Sequence, residues 1–325
     1  MRHLLYYLLF VLYLPLHSLL PQPNFVTYEF SGGRFGDNLL TYLRAKWVSD
    51  QYQIPLLYKP FPYSSELMLH DVDHCYNPRE CRHCQILYFQ EGSNVQPFSK
   101  DVSRLYVCSY FPECPWERTH LKGPNGAPWN FFQVDWENPE FRARLEKLIA
   151  PKQHLFLTIP PQDKISIAIH FREGGGYDKG DWALNYLTKA PPLDFYIEGL
   201  LQVVSLFPER SLYCHLFTDA LKPDQIIESF AKALPSETDI TFDCRSKGNS
   251  HTENVLEDFF SLFNFDVLIH PHSNFSLIPA LIHDYAITYS PLSGKRKGNT
   301  AIIDKVKFEI NEELYKKLLH GNSQS

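Results

Sequence analysis

His170 and Arg172 close an alternating run, Ile165-Ser166-Ile167-Ala168-Ile169, and the glycines Gly174, Gly175 and Gly176 follow. An arginine fork matches the oxygens of a phosphate, and glycine lets phosphates come close to the backbone. In an open α/β sheet, ligands bind just beyond the carboxyl ends of the strands. Those residue types in that order suit a diphosphate-binding strand end. The plainer reading is a buried strand whose Arg172 pairs with a carboxylate and whose glycines only make a turn. Two more stretches deliver polar groups in the same way. Phe217-Thr218-Asp219 offers a carboxylate to a base or ribose, or else an N-cap or loop aspartate. His270-Pro271-His272-Ser273-Asn274-Phe275-Ser276 runs into an apolar helix, whose first N–H groups and hydroxyls suit a phosphate. Ordinary capping by Ser273 or Asn274 would explain those residues as well. Near the start of the chain, Gly33-Arg34-Phe35-Gly36 precedes another helix and could cradle an anion, without the full G-x-G-x-x-G pattern.

Two other groups of chemistry-bearing residues stand apart from these. Cys75, Cys81 and Cys84 cluster with His70, His74 and His83, and Cys108 and Cys114 lie nearby, among seven cysteines in all. Cys81-x-x-Cys84 has half the spacing of a zinc site, but no second pair stands at finger spacing; zinc, disulfides and free thiols all remain open. Asp71-Val72-Asp73 is the one D-x-D triplet and lies beside that cluster, away from any evident strand end.

Alternating α and β signals position these residues. A strand from Phe25 to Phe30, a glycine turn, a helix from Asn38 to Gln51 and a strand from Ile54 to Tyr58 make one α/β unit. Residues 60 to 136, rich in Pro, Cys, His and aromatic side chains, read as loops and short elements. A helix from Asn138 to Ile149 and Pro160-Pro161 close the first half. In the second half, strands at 165–171, 212–218, 240–242, 267–270 and 286–289 alternate with helices at 193–207, 224–234, 252–263 and 275–282. That alternation predicts a parallel sheet with helices on both faces. The expected division is an N-terminal hydrophobic anchor or signal segment (1–23), an acceptor-side α/β domain with Cys/His-rich loops (24–160), a donor nucleotide-binding Rossmann-like domain (161–311) and a tail (312–325).

The composition is that of a globular protein: 44% hydrophobic, 21% charged, with 15% aromatic and a net charge of -6 over 325 residues. The acidic balance argues against a nucleic-acid partner, which demands a basic face. From Leu4 to Leu14 the chain is unbroken apolar, and allowing Pro15 and His17 extends this to Leu20. A bilayer span needs about 20 residues. Membrane association through the segment from Leu4 to Leu20 is therefore expected, on an undetermined side, with a cytoplasmic protein as the alternative.

The order of Gly33-Arg34-Phe35-Gly36, the His170-x-Arg172 strand end, Phe217-Thr218-Asp219 and Ser273-x-Phe275-Ser276 resembles the alpha-1,2-fucosyltransferases and, more distantly, the protein O-fucosyltransferases. The resemblance runs from about Phe25 to Tyr289. It implies a GT-B-like α/β fold, two Rossmann-like domains facing across a cleft. It also implies inverting transfer of fucose from GDP-fucose, the donor substrate, to a hydroxyl of a glycan acceptor, with no cofactor and no obligatory metal. By the same resemblance the donor is bound by Gly33, Arg34, Gly36, Asn38, His170, Arg172, Asp219, Ser273, Asn274, Phe275 and Ser276, with Arg172 on the diphosphate. Departures from the family pattern accompany it. The family's H-x-R-R-G-D reads His170-Phe171-Arg172-Glu173-Gly174-Gly175, and its N-Q pair reads Asp37-Asn38. A carboxylate there repels a diphosphate unless it faces the acceptor, which makes Asp37 the candidate base beside Arg172 in catalysis. The same departures keep open a different nucleotide sugar, or a GT-B-like protein that binds a nucleotide sugar or glycan without transfer.

Overall fold

The structure, a computed structural model, describes residues 24–30, 32–91, 103–108, 130–132, 134–173, 186–247, 249–250, 252–298 and 300–320. The segment from Leu4 to Leu20, Gly174 to Gly176 and Cys114 fall outside them. Among the described residues no helix is long and apolar enough to cross a membrane. The chain divides into two compact units, Met1–Ala150 and Pro151–Ser325. Each is α/β and built on a parallel sheet.

In the first unit β1 (Phe25–Tyr28), β4 (Gln85–Glu91), β5 (Arg104–Cys108) and β6 (Asn130–Phe132) form a sheet in the order β1-β5-β4-β6. All its pairs are parallel. A second, two-stranded parallel sheet joins β2 (Leu57–Tyr58) to β3 (His74–Cys75). Residues 60–136, read as loops from the sequence, thus supply most of this unit's strands. These strands are short, and what makes them strands is pairing with distant partners such as Phe25 with Leu105. The helix after the glycine turn, α1 (Phe35–Tyr52), is buried well beyond a single stripe, including Asn38, Thr41, Arg44 and Lys46. The next helix, α2 (Pro139–Ile149), starts where Asn138 accepts the Phe141 N–H and Pro139 takes the first turn.

The second unit carries the more informative topology. Its strands are β7 (Ile165–Phe171), β8 (Leu212–Thr218), β9 (Ile240–Cys244), β10 (Val267–Ile269), β11 (Ile287–Lys297) and β12 (Thr300–Ile310). They lie in the order β12-β11-β10-β7-β8-β9. From β7 the chain moves one way to β8 and β9, then returns to the other side of β7 for β10 and β11. This is the doubly wound order, and its direction reverses between β7 and β10. The expected parallel sheet needs one correction. β11 continues past Tyr289, turns at Gly298 with φ +62°, and pairs antiparallel with β12.

Alternation along β7 sends Ile165, Ile167 and Ile169 to one face, where α3 (Leu193–Ser205) supplies Phe195, Tyr196, Leu200 and Val203. Phe230 of α4 (Pro223–Ala233) and Tyr315, Leu318 and Leu319 of α7 (Glu312–His320) pack on that same face. Ala168 points the other way, toward Leu262, Phe265 and Phe275, beside α5 (Val255–Ser261) and α6 (Asn274–Ile282). A large apolar side chain buried this way contributes about 1.5–3 kcal/mol, so β7 is anchored on both faces. α3 comes so near the sheet that a Cβ on Gly199 would lie 2.6 Å from the Tyr289 ring.

Candidate active site

In such sheets ligands bind beyond the carboxyl ends of the strands where the order reverses, here β7 and β10, and both ends carry the residues singled out above. β7 ends at His170 and Phe171, with Arg172 next. β10 leads through His270 to Ser273 and into α6. The two sides are tied directly: His170 Nδ1 and Ser276 Oγ are 2.7 Å apart. Phe275 packs on the His170 ring, with centroids 5.3 Å apart, and on Phe259 behind it. Ser276 is fully buried and also donates to the Ser273 carbonyl at 3.3 Å. Ser276 and Phe275 therefore fix the position of the turn. Ser273, the N-cap residue of α6, makes no side-chain capping bond. Capping does not account for that serine.

His270 is buried, and its Nδ1 must carry the proton, because it lies 2.9 Å from the Pro271 carbonyl, which can only accept. The His272 N–H donates to the Thr188 carbonyl at 2.8 Å. That bond brings in a residue the sequence motifs missed, Lys189. Leu187 of the same segment packs against Gly294 on β11, so the segment is held from two sides. Lys189 Nζ lies 5.8 Å from the Tyr186 ring centroid, and its charge, after burial, holds the His272 pKa below the usual range. Among the described residues Lys189 has no carboxylate in salt-bridge contact. Lys189 thus brings a cation to the residues that follow β10. No motif marks it; the backbone bond from His272 to Thr188 holds it there.

Asp219 follows β8 and was expected at a nucleoside. Its Oδ1 accepts the backbone N–H of Glu173 at 2.8 Å, bracing the residue just after Arg172. Tyr196 is fully buried beneath this point, and its hydroxyl lies by the Arg172 backbone N–H without hydrogen-bonding geometry. Beside the ends of β7 and β8 is a cavity of about 440 Å³, lined by Phe171, Leu193, Ala220, Lys222 and Ile226 among others. Its size and mostly apolar lining suit a small organic group such as a base.

His170, His270 and His215 are all held far below the ordinary histidine range, at about 3, about 3 and about 4. Burial is the main cause in each, and Arg172 adds to it at His170. The fold keeps them neutral while the unfolded chain takes up protons near pH 6.5. The stability they contribute is complete above that pH and is lost as pH falls toward 3–4. Asp258 acts in the opposite sense: burial lifts its carboxyl to about 6 despite Arg245. Between about pH 6 and 4 the fold holds a proton there that the unfolded chain lacks, which stabilises. Three groups against one leave about two more protons on the unfolded chain, a net loss on the order of 2–3 kcal/mol per pH unit between 6 and 4.5. Urea midpoints across that window measure it, and a fold that strengthens on acidification would refute it.

In the first unit the glycine turn is built around Asp37. A Cβ on Gly33 would fall 1.9 Å from Asp37 Oδ2, so the carboxylate sits over a position that only glycine can hold. Gly32 beside it has φ +81°, in the left-handed region. Asn38 Nδ2 donates to the Gly33 carbonyl at 3.3 Å, while its Oδ1 is buried and without a partner. Arg34 takes the N-cap position of α1, and Gly36 lies buried in its first turn. A carboxylate already occupies the end of the helix that would attract an anion. The turn therefore gathers Gly33, Arg34, Gly36, Asp37 and Asn38, while His170, Arg172, Asp219 and Ser273 to Ser276 gather in the second unit.

The remaining candidates have structural partners. Asp73 accepts from Lys46 Nζ at 2.5 Å and from the Tyr42 hydroxyl at 2.7 Å, which accounts for the second aspartate of Asp71-Val72-Asp73. Among the described residues no disulfide joins Cys75, Cys81, Cys84 or Cys108. Among the described residues no three His, Cys, Asp or Glu side chains converge on a point that could hold a metal.

No protein-family profile matches the sequence, and no curated protein does. Among solved structures the chain is similar to a point mutant of Arabidopsis thaliana FUT1 in complex with GDP. The identity is 13% over 83% of this chain and 71% of that one, with a TM-score of 0.43. It is similar to POFUT1 in complex with GDP-fucose, at 12% identity over 82% and 95%, TM-score 0.37. It is likewise similar to the fucosyltransferase NodZ from Bradyrhizobium, at 13% identity over 89% and 99%, TM-score 0.45.

Proposed function

We propose that the chain is an inverting glycosyltransferase that takes fucose from GDP-fucose and delivers it to a hydroxyl of a glycan. The observation that supports this reading is the join at the sheet's reversal point, where His170 on β7, two residues before Arg172, meets Ser276 of α6 at 2.7 Å. When the sugar C1–O bond breaks, negative charge grows on the leaving diphosphate. Arg172, Lys189 and the N-terminus of α6 are the groups that would receive it, at about 3–4 kcal/mol for a well-placed donor. His170 and His270 are neutral at pH 7 and add no charge; their part is to hold the strand ends in register. The cavity by Phe171 and Ala220 would take the nucleobase, with Asp219 fixing the backbone after Arg172. Inversion follows from attack by the acceptor hydroxyl on the face opposite the leaving group. No metal is assigned a role.

For the proton of that hydroxyl the candidate is Asp37, because a carboxylate seated at a helix start is ill-suited to the donor's phosphates. Asp37→Asn keeps the size of the side chain over Gly33 and removes its basicity. It is expected to lower kcat about a hundredfold or more with KM for the donor little changed. Full activity in that variant would remove Asp37 from the chemistry.

The reading as a whole is tested by melting the protein with GDP, UDP, ADP and CMP, then measuring donor hydrolysis. A site for GDP stabilises the fold by RT ln(1 + [L]/Kd) and so raises the melting temperature with that nucleotide alone. A shift with UDP instead would transfer the proposal to another sugar nucleotide. A shift with GDP but no hydrolysis or transfer would make the chain a binder.

A further inference from the structure

The sequence Cys81-Arg82-His83-Cys84 forms a turn with its own chemistry, unconnected with the donor site. The Cys84 N–H donates to the Cys81 carbonyl at 3.0 Å, closing a four-residue turn. Such a turn brings its first and last Cα atoms within about 7 Å, and a disulfide needs about 4.4–6.8 Å. Cys81 is buried in an apolar cluster with Leu57, Tyr88 and Leu105, and Cys84 packs against the edge of that cluster. The Cys84 thiol lies 3.2 Å from Ser103 Oγ, and it is near enough to the Cys81 thiol to help raise that thiol's pKa. The neighbouring histidines are engaged elsewhere. His70 Nδ1 meets the Tyr58 hydroxyl at 3.1 Å, His74 Nε2 meets Glu80 at 3.1 Å, and His83 Nε2 accepts from Arg82 Nε at 2.8 Å. The C-x-x-C thus has no set of metal ligands around it among the described residues, and the turn holds its two cysteines at disulfide spacing.

We propose that Cys81 and Cys84 are a dithiol that closes reversibly to an intramolecular disulfide, with a small-molecule disulfide as oxidant. Cys84 is the half-exposed member and reacts first. Its thiolate attacks one sulfur of the oxidant and releases one small thiolate, leaving a mixed disulfide on Cys84. The Cys81 thiol then gives up its proton and attacks the Cys84 sulfur, expelling the second small thiol. Two protein thiols are oxidised, one disulfide is reduced to two thiols, and both protons end on those thiols. Burial, with Cys84 alongside, pushes the Cys81 thiol up to about 11, so Cys81 is the poorer nucleophile and reacts second, within the molecule, where the turn holds it next to the mixed disulfide.

The full chain, folded by circular dichroism, is equilibrated with reduced and oxidised glutathione, blocked with an alkylating agent and digested with trypsin without reduction. Cleavage after Arg82 separates the two cysteines, so the disulfide holds peptide 80–82 to peptide 83–100. That linked pair, two hydrogens lighter than its parts and released by dithiothreitol, is the expected product. It persists in Cys75→Ser and is lost in Cys84→Ser, in which Cys81 stays unmodified. The proposal fails if both cysteines remain alkylatable in the folded protein under oxidised glutathione. It also fails if Cys75 or Cys108 is the partner found, or if the link forms only after denaturation.

Discussion

Arg172→Ala is expected to lower transfer from GDP-fucose by about 10²–10³-fold and to abolish the melting shift with GDP, while unliganded stability changes by no more than about 1 kcal/mol. The size follows from where the guanidinium stands. It is carried on the residue after a strand buried on both faces, and its backbone is braced by Asp219 through the next N–H. Little reorganisation is then needed when charge develops on the phosphate, which is when a preorganised donor counts most. Arg172→Lys keeps the charge but loses the planar fork, and recovers only part of the loss. The melting experiment separates the two ways of being wrong. A GDP shift that survives in Arg172→Ala shows that the nucleotide binds elsewhere, whereas an unliganded protein that has lost several kcal/mol shows that the arginine is structural.

The strand under that arginine was legible because its local pattern and its tertiary role coincide. Ile165, Ile167 and Ile169 alternate with small residues, and the sheet does place helices on both sides of them. α2 and α3 were legible as helical stretches over 138–149 and 193–207, and the structure begins them at Pro139 and Leu193. β4, β5 and β6 were not. They sit among Cys, His and Pro residues, and each is made a strand by a neighbour far away in the chain. β12 was readable in principle, since Val306, Phe308 and Ile310 alternate with Lys305, Lys307 and Glu309. Within the site, strand-end residues can be read because topology fixes where strand ends go. Lys189 cannot, because its place depends on a backbone bond from His272. Asp219 shows the opposite limit: the sequence marks a carboxylate at a strand end, but only the structure shows that its Oδ1 accepts the N–H of Glu173.

The first unit offers the largest expected effect on stability, and it also decides the status of the D-x-D triplet. Lys46 and Asp73 are 5% and 8% exposed, with the Tyr42 hydroxyl on the second carboxylate oxygen. Removing one member of a buried pair strands the other charge. Lys46→Met is therefore expected to cost about 3–5 kcal/mol by urea denaturation, with Asp73 left to the Tyr42 hydroxyl alone. Replacing the whole group, Lys46→Met with Asp73→Leu and Tyr42→Phe, takes away the desolvated charges together with the hydroxyl that would otherwise be orphaned. Most of the stability should return, to within about 2 kcal/mol of the parent, because well-packed apolar groups often replace a buried ion pair at little cost. A metal-ligand aspartate behaves differently. Its parent would be stabilised by added Mn²⁺ and weakened by a chelator, and Lys46→Met would bind the ion more tightly. If Lys46→Met costs less than about 1 kcal/mol and Mn²⁺ raises the melting temperature, Asp73 belongs to a metal site and not to the packing of α1.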